Sequence, residues 1–292
     1  EPMAEFNIAP PDTGNAEPAA RKDSSGENFP VASRLLPKRL RPHVMAYYKF
    51  VRLADDIADD PDLEPELKLS HLDALERALM KGEAHSAYLQ PALDLHASLR
   101  LTGLPDTHAR QVLQAFRRDA KNTPCRTWSD LMLYCRYSAA PVGRYLLALH
   151  GEGHKAVGPS DALCAALQIL NHLQDCRDDW VDLGRCYIPR IWFEQSKVSV
   201  ERLVERSSND QLRAILDRTL DQVDALLERA APLPSMVRHR GLRLESAVIL
   251  SLARALSRKL RRQDPLARRV RLSASARVMA TVQGIAAGLS TR

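Results

Sequence analysis

Two stretches of this sequence carry acids at a spacing that can do chemistry. The first holds Tyr48, Arg52, Asp55, Asp56 and Asp59. Residues three and four apart share a face of an α-helix, so these five form one polar stripe, with Leu53 and Ile57 left on other faces for packing. Carboxylates crowded into one and a half turns repel one another, by a few tenths of a kcal/mol per exposed pair and by more beside a cavity. Positive charge must offset that. Mg²⁺ does so well, because it prefers carboxylate oxygens and keeps waters or phosphate oxygens as its other ligands.

The second stretch holds Gln168, Asn171, Asp175 and Asp179, which fall within about 80° of arc on a helix. Asp178 lies beside them, and the chain then runs through Gly184, Arg185, Cys186, Tyr187, Ile188 and Pro189, placing an arginine and a tyrosine just past the helix end. A single acidic run is usually a solvated face, paired along the helix with a neighbour such as Arg52 or Arg177. Here there are two, over a hundred residues apart. Each is flanked by apolar side chains: Phe50, Val51, Leu53 and Ile57 for one, Ile169, Leu170, Leu173 and Trp180 for the other. Both helices therefore read as central. Facing one another, they would hold a cluster of Mg²⁺ ions with a diphosphate between, and Arg52 and Arg185 would take the remaining phosphate oxygens.

The elements that must position these residues read as helices throughout. Val44, Tyr47, Val51, Ala54 and Ala58 recur at helical spacing until Asp60 and Pro61 stop the run. Further runs fit 64–80, 86–101, 105–120, 127–150, 160–182, 208–230, 236–262 and 265–289, separated by Gly and Pro signals such as Gly103 to Pro105 and Pro232 to Pro234. Pro141 falls inside the 127–150 run and is expected to kink it. No alternating strand pattern, internal repeat or sustained heptad is visible. Glycine is scarce, 12 of 292 residues, and aromatics make up 5%. The reading is one all-α domain over 28–292, preceded by a disordered Pro/Ala/Ser-rich segment, 1–27. No run is apolar enough to span a membrane, no signal peptide is visible, and five cysteines without a C-x-x-C fit a reduced, cytoplasmic setting.

Three groups of residues together resemble the motifs of the head-to-head isoprenyl diphosphate synthases, the squalene, dehydrosqualene and phytoene synthases. They are Tyr48 to Asp59; Tyr134 and Tyr137 with Ser138 to Gly143; and Asn171, Asp175 and Asp179 followed by Gly184, Arg185, Tyr187 and Pro189. The likeness runs from about Asn28 to about Leu260. Glu27 to Ser33, and Ser138 to Arg144 where condensing relatives carry Val-Ala-Gly-x-Val-Gly, resemble the bacterial hydroxysqualene-forming branch of hopanoid biosynthesis. The resemblance implies an isoprenoid synthase helical bundle with a central cavity. It implies several Mg²⁺ ions on Asp55, Asp56, Asp59, Asp175, Asp178 and Asp179. Presqualene diphosphate would lose diphosphate, rearrange and capture water to give hydroxysqualene, without a nicotinamide cofactor. No G-x-G-x-x-G fingerprint is present, in agreement. Catalytic roles fall to Tyr134 in preference to Tyr137, and to Tyr48, Arg52, Asn171 and Arg185. Phe29, Tyr137, Ala139, Gly143, Gln168 and Tyr187 join Arg52, Asn171 and Arg185 around the substrate, with Ala139, Ala140 and Gly143 making room for an alkyl chain. A presqualene diphosphate synthase and a hydroxysqualene reductase would work beside it.

Two alternatives stand beside this reading. One is condensation of two farnesyl or geranylgeranyl diphosphates to presqualene diphosphate, squalene or phytoene. The other is a noncatalytic basic helical protein on membrane or nucleic acid, which would have no use for two inward acidic stripes. The net charge is +6. Arg254, Arg258, Lys259, Arg261, Arg262, Arg268, Arg269, Arg271 and Arg277 read either as a solvated face or as contact with an anionic membrane surface; nucleic acid is not the expected partner. His150 and His154, separated by Gly-Glu-Gly, lack the helical spacing of a metal motif. His172 is expected in a wall or core role, and the cysteines as core fillers.

Overall fold

The structure, a computed structural model, describes residues 34–290. Phe29 and the segment 1–27 lie outside the described residues. Among the described residues there are thirteen α-helices and no strand. Four form the first half: α1 (Arg41–Asp59), α2 (Pro65–Lys81), α3 (Gln90–Thr102) and α4 (Thr107–Ala120). They are followed by α5 (Trp128–Ser138), α6 (Ala140–Leu149), α7 (Val157–Gln174), α8 (Cys176–Leu183) and α9 (Arg190–Gln195). The chain ends in α10 (Asp210–Ala230), α11 (Leu233–Met236), α12 (Arg240–Arg262) and α13 (Ala274–Ser290). No helix among the described residues is long and apolar enough to cross a membrane.

Local sequence explains the helix ends. Pro42 and Pro65 sit in first turns, where a missing N–H costs nothing. Gly82 closes α2 and Gly103 closes α3, both at positive φ. Thr127 and Asp130 form a reciprocal capping box at the start of α5. Val44, Tyr47, Phe50, Ala54 and Ile57 line the buried side of α1, and α1 packs on α2, α3 and α4. That half closes over a core of Phe50, Ile57, Leu72, Leu75, Leu95 and Leu113. A second core joins α5, α7, α10 and α12 through Leu131, Ile169, Leu170, Leu173, Leu216, Val223 and Leu256. The helix α6 belongs to both: Tyr145 stacks on Tyr47 of α1 with ring centroids 4.1 Å apart, while Leu147 enters the second core. The first acidic stripe thus rides on one core and the second on the other.

Two expected helices are broken and a third is shortened. The 127–150 run divides at Ala139, whose φ of −121° and ψ of −47° leave the helical region. Pro141 therefore opens α6 from its first turn instead of kinking a continuous helix. The 160–182 run divides at Asp175. Its N–H still reaches the Asn171 carbonyl at 3.0 Å, and its own carbonyl accepts from Asp179 N–H at 2.7 Å, so Asn171, Asp175 and Asp179 stay on one side of the bend. The last helix begins at Ala274, nine residues later than expected. Pro265 cannot extend a helix from within, and Leu266 and Val270 are buried as anchors of an irregular strap.

Candidate active site

On α1, Arg52 lies 3.0 Å from an oxygen of Asp55 and 3.0 Å from one of Asp56. Asp59, one turn on, pairs with Arg185, which also donates to the Ala58 carbonyl at 2.7 Å. Arg185 comes from the segment after α8, so it ties the two acidic helices together. It is buried; burial disfavours its charge, but Tyr187, Asp59 and Asp119 more than reverse that and hold its pKa above the ordinary guanidinium value. Loss of hydration, then the neighbouring Asp59, pushes the Asp55 carboxyl up to about 8 against the pull of Arg52. This cluster is short of positive charge.

On the second stripe, Asp175 receives both faces of Arg269: Nε at 2.7 Å from Oδ1 and Nη2 at 2.9 Å from Oδ2. Burial outweighs that arginine and lifts the Asp175 carboxyl to about 6. His172 Nδ1 lies 3.9 Å from Asp179, and His172 Nε2 is 3.1 Å from Gln168 Nε2. Asp178 departs from the expected ligand set. Its side chain is 59% exposed and lies 3.7 Å from Arg177.

A third acid joins the stripes. Asp119, buried at the end of α4, accepts the Tyr134 hydroxyl at 2.8 Å and the Tyr187 hydroxyl at 2.9 Å. Tyr187 stacks on His172 at 3.7 Å, and the Tyr134 and Tyr187 rings lie 5.1 Å apart. Burial pushes the Asp119 carboxyl up to about 6, although Arg185 and both phenols pull it down. Burial, then Asp119, raises both phenols above the ordinary tyrosine value, so at neutral pH each remains a hydrogen-bond donor. Arg52, Arg185, Tyr134, Tyr187, Gln168 and five of the six expected ligand aspartates thus lie on the two stripes and the aromatic wall between them. Tyr48 and Asn171 sit half-buried on the same stripes.

Sequence reasoning missed Asp119 and Arg269. Asp119 had a signal: it continues the series Val112, Ala115 and Phe116 along the buried side of α4, an acid at a core position of the helical period. Arg269 had none, being one of many arginines in a basic region. That region is not a free face. Arg254 pairs with Glu228, and Arg261 with Asp221 and Asp224. Tyr137 packs half-buried against the second core, and Ala139 and Ala140 are buried at the helix break. Gly143 has a different use from the expected one. A Cβ there would lie 2.7 Å from Cys164 Sγ and closer still to Ser160 Oγ, so its small size lets α6 approach α7 rather than making room for an alkyl chain. His150 meets His239 edge-on, and Glu152 caps the backbone of Arg238 and His239. Among the described residues no three His, Cys, Asp or Glu side chains converge enough to hold a metal by themselves.

A family model described as squalene/phytoene synthase matches residues 22–276 of the chain. Hydroxysqualene synthase of Sinorhizobium fredii is 43% identical over 250 residues, covering 85% of this chain and 84% of that protein. The hydroxysqualene synthase of Rhodopseudomonas palustris is 41% identical, covering 89% and 88% respectively. Among solved structures, squalene synthase HpnC from Alicyclobacillus acidocaldarius superposes with a TM-score of 0.69 at 34% identity, over 80% of this chain and 87% of that one.

Proposed function

Since the chain belongs to the squalene/phytoene synthase family of isoprenoid-forming enzymes, we propose that it converts presqualene diphosphate to hydroxysqualene with the help of Mg²⁺. One observation carries the reading: Asp59 of the first stripe pairs with Arg185, from the segment after the second, beside a wall of Tyr134, Tyr187 and His172 that Asp119 orders and that reaches Asp179 through His172 at 3.9 Å. The names of the relatives and the segment Ser138 to Arg144 favour the hydroxysqualene branch over condensation.

The donor set suits Mg²⁺, being all carboxylate oxygen, and the burial and neighbouring acids that raise the Asp55 carboxyl are what a bound cation would offset. Asp55, Asp56, Asp59, Asp175 and Asp179 would hold the ions, completed by water and substrate oxygens. When bound, Mg²⁺ supplies Lewis-acid neutralisation of the departing diphosphate. Arg52 and Arg185 exchange their carboxylates for phosphate oxygens, to which guanidinium bonds are strong and directional. The rings of Tyr134, Tyr187 and His172 offer π-faces to the carbocation left behind. Ser138, four residues beyond Tyr134 on the same side of α5, has a buried hydroxyl with no hydrogen-bond partner among the described residues, and serves to hold the water that is captured.

The test is a pair of incubations with Mg²⁺ and no nicotinamide cofactor, one with farnesyl diphosphate and one with presqualene diphosphate, read by mass spectrometry. A C30 alcohol from presqualene diphosphate alone is expected. Consumption of farnesyl diphosphate would move the protein to the condensing branch, and inertness in both would refute the reading. Chelation with EDTA should abolish turnover and added Mg²⁺ restore it, while Asp55→Asn and Asp175→Asn should each cost about 10³-fold or more in kcat.

A further inference from the structure

The helix α13 has two unlike faces. Its inner face is a ladder of small residues, Ala280, Gly284 and Gly288, packed hard on α12. A Cβ on Gly284 would lie 2.5 Å from Val248 Cα. Its outer face leaves large apolar side chains in water: Val278 is 64% exposed, Met279 61%, Val282 58% and Leu289 51%. Soluble proteins seldom leave such a contiguous patch without a partner. Arg277 is the one charged residue of α13, and no acid follows Asp264 in the sequence. Arg268, Arg271 and Arg277, all exposed, flank the apolar face with positive charge.

We propose that the outer face of α13 docks on an anionic phospholipid surface. Apolar side chains flanked by arginines match the boundary between acyl chains and anionic headgroups. The helix has 17 residues and is not apolar enough to cross a bilayer, so it lies on the surface. Pairing with a second copy through this face would bring two arginine clusters together without acids to compensate them. The strap before α13 also ties it to the active site: Gln174 donates to the Val270 carbonyl, and Arg269 holds Asp175. The docking does not rest on the proposed reaction.

The experiment is vesicle flotation of the full chain. Vesicles of phosphatidylcholine are compared with mixed phosphatidylcholine and phosphatidylglycerol vesicles. The wild type should float with the anionic vesicles and far less with the neutral ones. Combined Arg268→Gln, Arg271→Gln and Arg277→Gln should weaken binding about 100-fold, at about fivefold per charge, and remove its salt dependence. Combined Val278→Ser, Val282→Ser and Leu289→Ser should weaken it at least about tenfold even in high salt. Circular dichroism melts matching the wild type establish that both variants fold, and turnover of substrate in detergent should be unchanged. No flotation of the wild type would overturn the proposal. So would equal flotation of both variants, or a dimer in light scattering that the serine variant dissociates. Flotation needs no turnover, so an inactive protein that floats would sink the proposed reaction and leave the docking surface standing.

Discussion

Replacing Asp119 with asparagine keeps the shape of the side chain and removes its charge. In the native protein burial lifts this carboxyl from its ordinary 3.8 to about 6. One pH unit corresponds to about 1.36 kcal/mol, so ionised Asp119 costs the folded state about 3 kcal/mol at pH 7. Because the folded pKa lies above the unfolded one, the folded state takes up the proton first. Its stabilising effect is complete below about pH 4 and is lost as pH rises through about 6. Asparagine has no such slope. Against the relief at neutral pH stands a loss: one carbonyl oxygen must replace a carboxylate that serves two phenols at 2.8 and 2.9 Å. Losing one charge-assisted bond costs about 1.5–3 kcal/mol. The two effects nearly cancel at pH 7, so Asp119→Asn should unfold within about 2 kcal/mol of the wild type there. Towards pH 4 the wild type should gain about 2–3 kcal/mol on the variant. Urea denaturation of both proteins across this range reads the difference; the raised Asp175 carboxyl cancels because both proteins have it, while that of Asp55, which Asp119 helps to raise, falls a little in the variant. At pH 7 kcat should fall about 10–100-fold, since Tyr134 and Tyr187 lose the anion that aims them. Parallel stability curves would refute the raised carboxyl, and full activity would refute its positioning role.

Arg269→Ala removes the bidentate partner of Asp175. Both side chains are partly exposed, so stability should fall by no more than about 1 kcal/mol, whereas KM for the diphosphate substrate should rise about tenfold with less change in kcat; an unchanged KM would remove Arg269 from the site. Gly284→Ala forces a methyl group into the α12 backbone. It should cost about 1–3 kcal/mol and raise amide exchange in α13 and the strap while α7 and α10 stay protected, and uniform loss of protection would contradict the view of α13 as a separately anchored element.

Both acidic stripes could be read from the sequence because they are local. Asp55, Asp56 and Asp59 share a face through helix geometry alone, and the apolar residues between them mark the buried side at the same period. Breaks were harder to place. At Ala139 and Asp175 the backbone leaves the helical region for one residue and a new helix begins, and the composition around those positions is as helical as elsewhere. Pro141 signalled a disturbance, but whether it would kink one helix or begin another depended on the residue before it. Gly143 looked like space for a ligand and instead seats one helix on another, a use that depends on Ser160 and Cys164 from the next helix.

That the chain is helical, which residues share each helix face, and that two of those faces are acidic could all be read along the chain. All of these follow from a backbone period that spans four residues. Which charges meet is set by the packing of the helices. Arg185 finds Asp59 across 126 positions, Arg269 finds Asp175 across 94, and Tyr187 reaches Asp119 across 68. Coulomb energy and hydrogen bonding depend on distance in space and on removal from water. Those quantities are set when two cores close on a shared helix, and no count along the chain contains them.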